Sequence, residues 1–183
     1  MMDGGGFLIP LVYARDLWMV GDVVKSSDPT KDVRVTAGML ALYVYELIAI
    51  DGAKCEDRSA PENRMTQLFA KQTVIFAFLK SQEQSQKLAI LDTAIKLEKS
   101  TAPRRRDDDL ICRGGLDEMM AGLENGTQQQ VPTAPGQIGK TIAVTTPSGW
   151  SPKFVQPDVY LPMQDKARGD MRGNLLKLVG LPS

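Results

Sequence analysis

The sequence predicts an all-α fold: an antiparallel helical bundle of four to five helices, followed by a proline-rich extended C-terminal arm and a terminal helix. Three observations carry that expectation. Apolar residues recur at three- and four-residue spacing through the first hundred positions, the period of a helix with one buried face. Helix start and stop signals divide this region into segments joined by short connections, the pattern of an antiparallel bundle. Residues 126–164 then hold six of the eleven prolines and only three charged side chains, Lys140, Lys153 and Asp158. Such a stretch cannot form a long helix. The chain accordingly divides into a bundle, 1–125, and an arm with its terminal helix, 126–183, packed on the bundle or on a partner.

The first helix is expected from Pro10 to about Lys25, with Leu11, Ala14, Leu17, Trp18 and Gly21 on one face. Asp28 and Pro29 read as the cap and first position of a second helix, about 29 to 51. That helix is apolar nearly all round from Ala37 to Ile50, as a central element must be, and Gly52 is its expected C-terminal cap. Ser59 and Glu62 have capping-box spacing and open a helix over about 60–80. Ser81 and Gln84 repeat the pattern for a helix ending near Ser100. Ala102-Pro103 closes it, and Arg104 to Asp109 reads as a solvated charged connector before a short helix near Leu116 to Glu124. Within the arm, Ile142 to Thr145 suits a short strand. Its apolar residues, among them Trp150, Phe154, Val155 and Tyr160, argue for packing rather than disorder. A last helix is expected over about 163–179. No internal repeat or low-complexity tract stands out.

Composition excludes several classes of function. The 183 residues carry 22 Lys plus Arg against 22 Asp plus Glu, so the basic footprint of a nucleic-acid binder is missing. There is no His, which removes Ser-His-Asp, Cys-His and His-ligated metal mechanisms together. The longest apolar stretch, Gly38 to Ile50, is shorter than a membrane span and contains Glu46. The opening Met1-Met2-Asp3 lacks a basic region, so no intact signal peptide is expected.

Cys55 and Cys112 lie in polar, loop-like surroundings and are 57 residues apart, enclosing what reads as a helical hairpin. A hairpin returns its end close to its start, so a disulfide at its base is the favoured reading. Stable bridges imply an oxidising compartment, periplasmic or secreted. Two unpaired thiols in a cytoplasmic chain are the alternative, and a redox or metal pair lacks further ligands.

Ala134 to Thr141 matches a relaxed phosphate-loop pattern in which Gly139, Lys140 and Thr141 would meet phosphates and magnesium. The polar run before it and the extended one after it favour a chance match. Arg168-Gly169-Asp170 falls in an expected helix rather than at a loop tip, and Asn125-Gly126-Thr127 is a glycosylation pattern only in a eukaryotic secretory route. Asp107 to Asp109 lacks the alternation and fixed Gly of a calcium loop. Glu46 is the carboxylate whose burial would raise its pKa enough for acid or base work. Pairing with Arg15 or Arg64, or a bond from Tyr43 or Tyr45, is the structural alternative. Trp18, Trp150, Tyr43 and Tyr45 read as core or arm-anchoring residues.

The resulting expectation is a non-enzymatic binding or structural protein, exported and clasped by Cys55 and Cys112, with no cofactor or metal. A protein partner would meet the arm; nucleic acid and a membrane span are not expected. A nucleotide-binding protein using the Ala134 to Thr141 segment is the alternative.

Overall fold

A computed structural model describes residues 6–24, 26, 31–136 and 138–182, and among these the chain is mostly helical. In chain order the elements are α1 (Leu8–Val23), α2 (Val33–Asp51), a 3-10 turn (Gly52–Lys54), α3 (Ser59–Lys71), α4 (Thr73–Ser81) and α5 (Gln84–Thr101). A second 3-10 turn (Ala102–Arg104), α6 (Leu116–Asn125), β1 (Thr127–Val131), β2 (Thr141–Thr145) and α7 (Pro157–Leu178) complete it.

Helix α2 is the hub: α1, α3, α4, α5 and α7 all pack on it. Leu40, Leu42, Val44, Leu47, Ile48 and Ile50 are all buried, facing every side of the helix, which is what its all-round apolar sequence requires. The segment Val33–Lys54 reaches a mean hydropathy of 1.6 over 18 residues, long and apolar enough by composition to cross a membrane. The window is longer than the run Gly38 to Ile50 because it tolerates charged residues. Most of that segment is covered by the protein's own helices.

Asp32 caps α2, its Oδ1 accepting from the Arg34 amide at 2.9 Å. The expected cap, Asp28 with Pro29, lies outside the described residues. Gly52 follows α2 but keeps right-handed helical geometry and continues into the 3-10 turn, so it is not a left-handed cap. Its lack of a side chain matters because a Cβ there would stand 2.6 Å from Pro61 Cβ. Helix α1 starts two residues before Pro10, whose ring is buried in the first turn.

The single helix expected over 60–80 is two. The backbone breaks at Gln72, and the Thr73 hydroxyl turns back to the carbonyls of Phe69 and Ala70, competing for the last acceptors of α3. Ser81 likewise donates backwards, to Phe78 O, instead of capping α5. Three helices, rather than two, therefore lie between the cysteines.

In the arm, β2 pairs antiparallel with β1, with Thr127 opposite Thr145 and Val131 opposite Thr141. The polar sequence of β1, Thr-Gln-Gln-Gln-Val, gave no apolar alternation to reveal it. The hairpin rests on α6: a Cβ at Gly126 would stand 1.9 Å from Thr145 O. Past the hairpin the arm lies on the bundle, with Glu56 N donating to Lys153 O at 3.0 Å and Val155 N to Lys54 O at 2.9 Å. Helix α7 begins at Pro157, six residues earlier than expected, and carries Pro162 within it. Pro157 sits in the first turn, where its missing N–H has no intrahelical acceptor to lose.

Candidate functional site

The arrangement around the cysteines follows from two short polar residues. Cys55 and Cys112 form a disulfide, with their Cα atoms 5.2 Å apart. Both are buried, despite the polar, loop-like sequence around each. Phe154 of the arm forms a bridge with Cys55 on the same side. Asp57 Oδ1 accepts from the Ser59 amide at 2.9 Å, and its Oδ2 from the Asp117 amide at 2.9 Å. The Ser59 hydroxyl donates to Asp57 Oδ1 at 2.6 Å and accepts from Leu116 N at 2.7 Å. Asp57 thus does at α3 the work expected of Ser59, and Ser59 serves α6. Burial works against ionisation of Asp57, but these hydrogen bonds prevail and hold its carboxyl below the usual range.

A second constellation is buried between α2, α5 and α7. Arg105 donates through Nε to Asp51 Oδ2 at 2.7 Å and through Nη2 to Glu98 Oε1 at 2.6 Å. Its Nη1 meets Glu98 O and Thr101 Oγ1, and Tyr43 Oη shares a hydrogen bond of 2.9 Å with the same threonine. Gln164 Nε2 donates to Asp51, and Arg168 donates to Glu98 at 3.3 Å. The Arg104 to Asp109 connector is therefore not simply solvated: Arg105 penetrates the core, Asp107 pairs with Lys54, and Asp108 accepts from Phe7 N. Burial pushes Asp51 above the ordinary carboxylate range despite the neighbouring guanidinium.

Glu46 lies within reach of this field but outside its hydrogen bonds. It is fully buried, and neither carboxylate oxygen has a hydrogen-bond partner. The alternatives of a pair or a tyrosine bond are corrected accordingly. Arg15 is at the surface beside Asp16, Arg64 donates to Leu110 O, and the Tyr43 hydroxyl is engaged by Thr101. Desolvation, with Glu98 adding like charge, lifts the Glu46 pKa to about 8, so the side chain is mainly a neutral acid at pH 7. It does not line the groove described below.

The Ala134 to Thr141 segment is the hairpin loop. Gly136 and Gly139 have left-handed φ of 85° and 111°, and Thr141 opens β2 instead of a helix. The helix N-terminus that cradles phosphate elsewhere is not at this place. Arg168 and Asp170 lie on α7, where Arg168 is committed to Glu98. Among the described residues, no group of three or more His, Cys, Asp or Glu could hold a metal ion. Trp18 packs edge-on to Phe78 at 5.5 Å, and the Arg113 guanidinium lies 5.4 Å from the Trp150 ring centre, consistent with core and arm anchoring.

No family model, curated protein or solved structure matches the chain.

Two surfaces among the described residues bear on binding. A groove of about 500 Å³ runs between the end of α2, α3 and α7; Met65, Met163 and Met171 line it, with Arg58, Glu62 and Lys166 among its polar residues. The second is the outer side of α1. Its inner side meets α2 through Pro10, Ala14 and Gly21, as the sequence spacing required. On the outside, Ile9, Val12, Tyr13, Met19, Val20 and Val23 are exposed, Val23 at 84%. Sequence reasoning missed this face although its signal was present: α1 carries a second apolar stripe at the same three-four spacing as the first.

Proposed function

We propose that this chain is a non-enzymatic binding or structural protein of an oxidising compartment and that it acts by protein association through α1. The observation that carries the reading is the uncovered apolar side of that helix. Contiguous exposed apolar surface of this kind is costly in water and marks an interaction site. The Cys55–Cys112 bond supports the compartment, periplasmic or secreted, since such bonds persist where thiols are not held reduced. The enclosure of Glu46 supports a role other than catalysis, because the carboxyl best placed for proton transfer is fully buried and does not line the groove.

A photo-crosslinking amino acid at Tyr13, in protein made in its native compartment, tests the association. A discrete protein adduct at Tyr13, absent from a control at Arg172 on α7, is the expected result. No protein adduct at Tyr13 would end the reading. Intact mass before and after reduction, following thiol alkylation, tests the compartment; two alkylated thiols in the unreduced sample would return the chain to a reducing one.

A further inference from the structure

We infer that the outer face of α1 is covered by a second copy of this chain, α1 against α1 in antiparallel register about a two-fold axis at Asp16. The inference rests on the reading of α1 as a protein-association surface and names its partner. The pattern of exposed side chains is symmetric about that one residue. Ile9 and Val23 lie seven positions either side of it, Val12 and Val20 four, and Tyr13 and Met19 three. Turning a second helix over about Asp16 therefore sets Ile9 opposite Val23, Val12 opposite Val20, and Tyr13 opposite Met19. An isologous contact requires this kind of self-complementarity.

The polar pair at the centre fits the same operation. Arg15 donates through Nε and Nη2 to Oδ1 of its neighbour Asp16, at 3.1 and 2.9 Å. Asp16 Oδ2 and Arg15 Nη1 take no part in that pair. Both are solvent-exposed, so an antiparallel copy can bring its Arg15 to this Asp16 and receive the reciprocal bond. Two pairs become a closed network of four charges, satisfied at the middle of an otherwise apolar contact.

Extent and charge favour a second copy over a lipid surface. The exposed apolar residues of the face, with Leu8 and Val24, run the length of α1, so a copy laid along it covers both helices at once. A helix that lies in a bilayer interface carries Lys and Arg along its polar side. Helix α1 has one base, Arg15, against two acids, Asp16 and Asp22, and Asp16 is at the centre of the apolar face, where lipid would meet a carboxylate and a second copy brings a guanidinium.

The test uses the whole oxidised chain and reads molar mass by light scattering after size-exclusion chromatography, over micromolar to about 100 µM protein. The expected wild-type result is a concentration-dependent rise from 20.0 kDa towards twice that mass. Val12→Lys or Val20→Glu alone weakens dimerisation by about tenfold or more, because each substitution occurs twice in a symmetric contact. The double variant recovers it, since Lys at 12 then faces Glu at 20 of the other copy. Circular dichroism of the variants should match wild type, as both positions are exposed.

A wild-type chain that stays at 20.0 kDa, or single variants that dimerise like wild type, would overturn the inference. A double variant that does not recover would overturn the register. Flotation of wild-type protein, but not of Val12→Lys, with phosphatidylglycerol-containing vesicles would assign the face to lipid instead. A monomeric chain whose Tyr13 crosslinks to a different protein overturns the second copy and keeps the association reading. A monomeric chain with no adduct ends both.

Discussion

Glu46 shows what one buried carboxyl does to a fold. Its folded pKa of about 8 lies above the ordinary carboxylate value of 4.5, so between those pH values the folded state holds a proton that the unfolded state has released. Its contribution to stability is present below pH 4.5 and is lost as pH rises through 8, at a slope of about 1.4 kcal/mol per pH unit. Replacing it with Met should flatten this fall and raise the urea midpoint most at pH 8. An unchanged pH dependence of the midpoint would show that Glu46 is not the group responsible. Arg105 makes the opposite case. Its fork joins Asp51 and Glu98, so Arg105→Met leaves the buried Asp51 without a base and Glu98 with only Arg168 at 3.3 Å, and should cost about 3 to 5 kcal/mol. Adding Asp51→Asn and Glu98→Gln should recover part of that loss; a single-variant cost below about 1 kcal/mol would mean that the cluster behaves like a surface pair. Burial of Glu46 was legible in the sequence, because it sits in the most apolar helix. Its lack of a partner was not, because the guanidinium that penetrates nearby is Arg105, from a run that reads as solvated.

Among the elements, legibility followed the strength of local signals. Hydrophobic spacing located α1, α2, α5 and α6 within a few residues, since burial of one face and helical period say the same thing there. It failed where a local hydrogen bond chose between equivalent acceptors. Ser59 and Asp57 are both good caps, and only the approach of Leu116, 57 residues away, decides which of them serves α3. It failed again at β1, whose polar residues pair through their backbone and leave no period to read. The exposed hairpin is held to the rest by close backbone packing at Gly126, where a Cβ would meet a carbonyl oxygen that cannot rotate away. Gly126→Ala should therefore detach β1 and β2 from α6 while leaving the bundle intact. Amide exchange would report it: faster exchange over 127–145 with unchanged protection in α2 and α5. Uniform loss of protection would show instead that the hairpin and bundle unfold together.

For the whole molecule, the 57-residue separation closed by the disulfide spans α3, α4 and α5, and the arm is seated beside it at Phe154. Restricting an unfolded loop of that length is worth about 4 kcal/mol. The pair Cys55→Ala and Cys112→Ala should lower the free energy of unfolding by about that amount, measured by urea titration beside wild type. A loss below about 1 kcal/mol would indicate that the unfolded chain is already compact around the same contact. Proline and charge content say nothing of the manner in which the arm returns to the bundle. It docks by backbone bonds at Lys54 and Glu56 and by α7 side chains reaching the core, and neither has a local signature.

The buried charges also set an order of events during synthesis. Gln164 reaches Asp51 across 113 residues and Arg168 reaches Glu98 across 70, so both acids are made long before their last partners. At 5 to 20 residues per second, the ribosome takes roughly 6 to 23 seconds to travel from Asp51 to Gln164. Throughout that interval the nascent chain has an electrically unfinished core, and it can close fully only when α7 has emerged. A polypeptide destined for passage through a narrow channel before folding would be kept threadable by the same delay.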